Sequence, residues 1–314
     1  MTARLLLLAV SGTALIAFAV SLAVAACIPM LRRRLDRVAP SAQARVLLVA
    51  ALAPAFVAFA VQAGWAIHFH LIDPSPQHAQ HDCPIPLTPL LAAGVLLLVV
   101  RLVVASARTT VGAWRSYFTL RSLRRASVPI RAGFDLFATA EPTAFVAGLL
   151  RPRVFLSRGL LAAVDQHALA AILAHETAHA RRRDPLRRLL SALVLAFHLP
   201  GVAQMIDTLL ARAHECVADA DAARKVGDGP RVAQTLIQVA RLRLAPAPAS
   251  AHSAAILGSD LDARVRHLLA VAGAPDAPSV ALLAAGAAGV VVLSVAFAVP
   301  LHAAAELAVS LLPL

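Results

Sequence analysis

The sequence predicts a mainly α-helical membrane protein: four transmembrane helices, with one folded domain of helices and a small sheet between the third and the fourth. Three observations carry this. Of 314 residues, 60% are hydrophobic and only 15% are charged, and the mean hydropathy is +0.76, whereas soluble domains usually carry about 25% charged residues. The apolar residues gather into four runs of about 20 residues or more, the length that crosses roughly 30 Å of hydrocarbon. Between the third and fourth runs the pattern changes to helical periodicity punctuated by Pro and Gly, and most of the basic residues lie there. This composition excludes a disordered chain and a freely soluble enzyme.

The expected spans are Leu5–Met30, Val46–Ile67, Leu87–Ala107 and Val280–Pro300. Arg32, Arg33, Arg34, Arg37 and Arg45 stand between the first two, whereas Leu71–Pro86 has no Lys or Arg. The positive-inside rule then puts the Arg32–Arg45 loop and the basic segment Ser106–Ser279 in the cytoplasm. Both termini and the His-rich Leu71–Pro86 loop fall outside. Val24-Ala25-Ala26-Cys27 looks like a lipoprotein cleavage box, but the apolar run from Leu5 exceeds a signal core of about 7–15 residues, so it is read as a span. The expected division is 1–107 for three spans, 108–279 for the cytoplasmic domain, and 280–314 for the last span and a short outer tail. The net charge of +12 is assigned to membrane orientation rather than to nucleic acid, because one Tyr and two Trp offer few stacking platforms. Cys27, Cys83 and Cys216 show no C-x-x-C spacing, which argues against a Cys-rich zinc framework.

Within the domain, Val128–Arg131, Leu136–Thr139, Ala144–Ala147 and Val154–Ser157 are short runs separated by Pro and Gly and read as a small sheet. Asp165 can cap a helix running to about Arg183, with Leu169, Ile172 and Leu173 on one face. Asp184-Pro185 starts a second helix, apolar from Leu189 to Leu199 and too short to span, which should pack in the core or lie at the membrane surface. A third runs from about Val202 to Val226 and ends at Gly227. Leu244–Ser250 reads as a linker, and Asp260–Ala272 as a last amphipathic helix.

His175-Glu176-Thr177-Ala178-His179 on the first of these helices spells H-E-x-x-H. Positions i and i+4 share a helical face, so both imidazoles can hold one Zn2+, and Glu176 stands beside the metal as a general base that can deprotonate a water. A catalytic zinc site needs a third protein ligand and an open position. Glu215 and Asp219, again i and i+4, share a face on the third helix. One can bind zinc while the other accepts a ligand histidine's free N–H. His214 and Cys216 should point elsewhere, and Asp184 reads as a helix cap rather than a ligand. Tyr117 and His214 are unranked candidates for stabilising the oxyanion.

H-E-x-x-H, then Arg-Arg-Arg-Asp at 181–184 and E-x-x-A-D at 215–219, resembles the BlaR/MecR family of membrane-embedded zinc metalloproteases. The lead-in Ala144–Gly148 with Arg151–Ser157, and Arg264–Leu269 before the last span, are similar to that family's elements. The resemblance implies a gluzincin-type metalloprotease domain with His175, His179 and Glu215 on zinc, Glu176 as base, and Asp219 behind a ligand. It also implies a signal transducer that cleaves itself and brings about proteolytic loss of a cytoplasmic DNA-binding repressor of antibiotic-resistance genes, with membrane lipid as a further partner. The oligomeric state is left open, a homodimer included. No counterpart of the family's outer penicillin-binding domain is expected in these residues: the only lysine, Lys225, has Ala222 three residues before it, so no Ser-x-x-Lys occurs. Two other readings stand beside this one: a Ste24/HtpX-like membrane quality-control protease, and a non-enzymatic transducer with structural zinc.

Overall fold

The computed structural model describes residues 2–35, 39–67, 89–130, 133–244 and 261–269. The expected fourth span, the Leu71–Pro86 loop and, apart from Leu244, the Leu244–Ser250 linker lie outside them.

Three long helices come first: α1 (Thr2–Leu35), α2 (Pro40–Ile67) and α3 (Pro89–Ala126). Their segments Ala9–Pro29, Pro40–Ile67 and Ala92–Ala126 are long and apolar enough to cross a membrane. Small side chains let them approach closely, with Ala14 and Ala17 of α1 buried against Ala55 and Ala58 of α2 and Leu98 of α3.

The third span was expected to end at Ala107, but α3 runs on through Ala126, so the expected division after residue 107 falls inside a helix. The residues show why. Leu96, Val100, Val103, Ala107, Val111, Trp114 and Phe118 form one continuous exposed stripe, about 33 Å long at a rise of 1.5 Å per residue. That matches a hydrocarbon core, and the exposed Arg121, Arg124 and Arg125 follow it.

A four-stranded sheet follows: β1 (Ser127–Ile130), β2 (Phe134–Phe137), β3 (Ala144–Ala147) and β4 (Arg153–Ser157), in the order β1-β2-β4-β3. The β1–β2 and β3–β4 pairs are antiparallel and β2–β4 is parallel. The four expected runs are thus all strands: Ala144–Ala147 coincides with β3, β4 starts one residue earlier than expected, and β1 and β2 are shifted by one and two residues. Gly148 turns the chain between β3 and β4 at φ 105°, a left-handed region that favours glycine.

The helices after the sheet are α4 (Arg158–Ala163), α5 (Gln166–Arg182), α6 (Asp184–Val194, extended by a 3-10 turn Leu195–Phe197), α7 (Pro200–Val226) and α8 (Gly229–Leu244). Residues 261–269 form α9. Ser157 caps α4 and Asp165 caps α5, while Gly227 in the left-handed conformation ends α7. The sheet packs on α4 and α5 through Phe134, Val154, Leu156, Leu160 and Ile172. Ala171 and Ala174 of α5 meet Ala222 of α7, Val232 and Ala233 of α8 and Leu268 of α9.

The turn between α6 and α7 buries itself among the three long helices. Phe197 joins the cluster of Ala14, Ala17, Ala55, Ala58 and Leu98, and Leu195 packs with Ile28 and Ala51. Of the two placements expected for this apolar segment, core packing holds, and the core is partly that of the spans themselves.

Candidate metal centre

Helix α5 presents the first two site histidines, and its ends are fixed locally. Asp165 Oδ1 accepts from Ala168 N at 2.7 Å, taking up one of the orphan N–H groups of the first turn. At the other end Arg183 adopts a left-handed conformation, φ 54°, and donates its N–H to Ala180 O. The chain turns directly from α5 into α6 there, with no loop between.

His175 and His179 project from one face of α5 with their Nε2 atoms 3.1 Å apart. Glu215 reaches across from α7, with Oε2 3.6 Å from His175 Nε2 and Oε1 3.6 Å from His179 Nε2. One ligand atom from each of the three residues lies within 4.8 Å of the others. Zinc held tetrahedrally at bond lengths of about 2.0–2.2 Å implies donor–donor separations of roughly 3.3–3.6 Å. The donor set and its spacing therefore fit such an ion.

Each histidine is backed by a carboxylate. His175 Nδ1 lies 2.9 Å from Asp219 Oδ1, and His179 Nδ1 donates to Asp184 Oδ2 at 2.7 Å. Asp184 was expected only to cap a helix. It is the first residue of α6, and the left-handed turn at Arg183 brings it under His179. Arg264 of α9 grips Asp219 through Nε at 2.7 Å and Nη2 at 2.8 Å, and its Nη1 is 3.4 Å from Glu215. The sequence reading missed both roles. The signal for Asp184 was the acidic residue directly after the motif helix, whereas Arg264 is too distant in sequence for any local signal.

The electrostatics favour a cation. Burial alone would raise the Glu215 carboxyl, but His175, His179 and Arg264 hold it well below the usual carboxylate range. Burial likewise opposes ionisation of Asp219 and Asp184, and it is outweighed by Arg264 and His175 for Asp219 and by His179 and Arg182 for Asp184, so both are lowered. Burial works against protonating His179, yet Asp184 and Glu215 push it up to about 9, and Asp219 and Glu215 likewise raise His175. His214 is pushed down to about 4 by burial, despite Asp184, with Arg182, Arg187 and Arg188 nearby. Four carboxylates, Glu176, Asp184, Glu215 and Asp219, thus gather around the two imidazoles, with Glu215 turned toward both Nε2 atoms.

A cavity of 970 Å³ opens on this cluster. Glu176, half-buried, lines it beside His175, with Ala144, Phe145 and Val146 of β3 on one side and Arg108, Thr109, Gly112 and Ser116 of α3 on another. Tyr117 and His214 do not line it; Tyr117 is 59% exposed on α3. Cys216 is buried and stands outside the ligand group.

Paired helix histidines, a carboxylate from a second helix and an acid beside the cluster are the groups a metallopeptidase centre requires. The family model for peptidase family M48 matches residues 113–272, just over half of the chain, and the chain belongs to that family. It is thus a membrane-type metallopeptidase, a hydrolase. Among curated proteins nothing matches it. The likeness to BlaR/MecR rests on the sequence motifs alone.

Proposed function

We propose that the chain is a membrane-bound zinc-dependent endopeptidase, with His175, His179 and Glu215 as the metal ligands and Glu176 as the general base. The convergence of those three donors on one point beside Glu176 carries this reading. Asp219 and Asp184 fix the ring orientation of the two histidines and raise their basicity. When bound, zinc supplies Lewis acidity toward the scissile carbonyl and the attacking water. Glu176 takes the proton from that water on its carboxylate and returns it to the leaving amine nitrogen. β3 is an edge strand among the described residues, so its free backbone groups can pair with an extended substrate and draw it along the cavity.

For substrates, the motifs around residues 144–157 and 264–269 support a regulatory protease that cleaves itself and causes loss of a cytoplasmic repressor. A Ste24/HtpX-like quality-control role is the second reading. It is favoured by one observation: the cavity wall from Arg108 to Ser116 belongs to a helix whose opposite face carries the membrane-length apolar stripe, so the cleft opens beside the bilayer. On both readings the protease domain belongs in the cytoplasm of a bacterial cell, and the Arg distribution supports the cytoplasmic side.

The test is to express wild type and Glu176→Gln in the native host and compare protein fragments across the proteome, with zinc content measured on the purified chains. Retained zinc with cleavage reduced by about 10²–10⁴ is expected. Loss of one soluble DNA-binding protein points to regulation, and fragments from many membrane proteins point to quality control. Undiminished cleavage by the variant overturns the assignment of Glu176.

A further inference from the structure

Arg101 is a charged residue in the apolar part of α3, flanked by Val99, Val100, Leu102 and Val103. A cation at such depth is costly and usually has a defined partner. Here Nη2 donates to Leu195 O at 2.9 Å and Nε to Ala196 O at 3.0 Å. These carbonyls lie at the C-terminal end of α6 and its 3-10 extension, the negative end of that helix's dipole.

The other two spans hold the same turn. Ser21 Oγ of α1 accepts from Leu199 N at 3.0 Å and lies 3.2 Å from His198 Nδ1, while His198 Nε2 lies 3.2 Å from Ala51 O of α2. With a neutral imidazole only one proton arrangement satisfies all of these groups: the Ser21 hydroxyl donates to Nδ1, and Nε2–H donates to Ala51 O. The opposite end of α6 is Asp184, which accepts from His179 at 2.7 Å. Helix α6 is therefore a strut of about 20 Å by its rise per residue, tied to the spans at one end and to a site histidine at the other.

We infer that Arg101 is a positioning residue of the metal centre, holding α6 along its axis so that Asp184 meets His179. The inference rests on the zinc reading above. Without the two carbonyl bonds the α6 terminus keeps only its polar contacts with α1 and α2, and a shift of about 1 Å at Asp184 carries the 2.7 Å hydrogen bond to His179 beyond the roughly 3.2 Å limit of such bonds.

The test is zinc affinity of the purified full chain in lipid nanodiscs, by competition with a chromophoric chelator, for wild type, Arg101→Met, Arg101→Lys, Asp184→Asn and the Arg101→Met/Asp184→Asn pair. Arg101→Met and Asp184→Asn should each weaken zinc by about 10–100-fold. The double variant should be no weaker than Asp184→Asn alone, since both changes cut one chain of contacts. Arg101→Lys should recover part of the loss, because an ammonium can still donate to the carbonyls. A purely structural anchor gives multiplied losses in the double variant, and that result overturns the inference. So does wild-type affinity in Arg101→Met. If Arg101→Met does not fold, the lysine variant decides: affinity below that of Asp184→Asn overturns the inference, and affinity between that and wild type supports it. A wild type that binds no zinc refutes the proposed function itself, which separates the two failures.

Discussion

Asp219 touches both a site histidine and a buried arginine, so removing its charge has two separable consequences. In Asp219→Asn the carboxylate that lies 2.9 Å from His175 Nδ1, and that receives Arg264 at 2.7 and 2.8 Å, becomes a neutral amide. Asp219 is 1% exposed, and breaking a buried ion pair from one side costs about 3–5 kcal/mol, largely because the other charge is stranded. Arg264 keeps Glu215 at 3.4 Å, which puts the loss at the lower end, about 3 kcal/mol. Independently, His175 loses the partner that orients it, which lowers zinc affinity by about 10–100-fold. The double variant Asp219→Asn/Arg264→Met should regain part of the stability, because the stranded guanidinium is gone while Glu215, which loses Arg264, keeps His175 and His179, yet keep the weakened zinc binding. Urea unfolding in the presence of chelator reads the first effect, and zinc titration reads the second. If zinc affinity returns together with stability, the orienting role of Asp219 is refuted and its function is purely to neutralise Arg264.

Further outcomes follow from the same geometry. Glu215→Ala should lower zinc affinity far more than Cys216→Ala, which should cost only about 1 kcal/mol of stability as a lost small buried group; a zinc titration with the reverse order would exchange the two assignments. Arg183→Gly should be neutral or stabilising, whereas Arg183→Val should destabilise by about 1–2 kcal/mol, because a branched side chain resists the left-handed turn at φ 54°; equal unfolding midpoints would contradict this. In metal-free protein the pH dependence has two limbs. Asp184 and Asp219 are lowered, so their stabilisation is complete above about pH 4 and is lost as pH falls below it. His179 is raised to about 9, so its contribution is complete below its unfolded value and disappears as pH climbs through that figure. Unfolding midpoints in chelator from pH 3 to 10 should therefore fall at both ends, and a flat profile counts against the ion pairs.

The motif helix was legible because every signal along it agrees: a capping Asp165, apolar residues spaced for one face, and two histidines a turn apart. The end of α3 was not. Arg108 and Arg115 look like the edge of the hydrocarbon when hydropathy is averaged around the helix, whereas Arg108 faces the cavity while Val111, Trp114 and Phe118 continue the stripe behind it. Asp184 was placed correctly at a helix start, but its partnership with His179 depends on Arg183 taking a conformation usually left to Gly or Asn. The grip of Arg264 on Asp219 joins residues on two helices, and no periodicity carries that information.

Helix α3 carries a membrane-length apolar stripe on one face and a wall of the cleft on the other, so the lipid that covers the stripe should be one of the enzyme's dimensions. A bilayer thinner than the Leu96–Phe118 stripe is met by tilting, and tilt carries Gly112 and Ser116 toward or away from the β3 edge. Acyl-chain length, or the belt of a detergent micelle, should then change how wide a peptide the cleft admits. Cutting the chain at residue 108 to obtain a soluble domain removes more than an anchor. It leaves Val111, Trp114 and Phe118 bare to water, frees the far end of α6, and asks a cavity to keep its shape after one of its walls has lost its support.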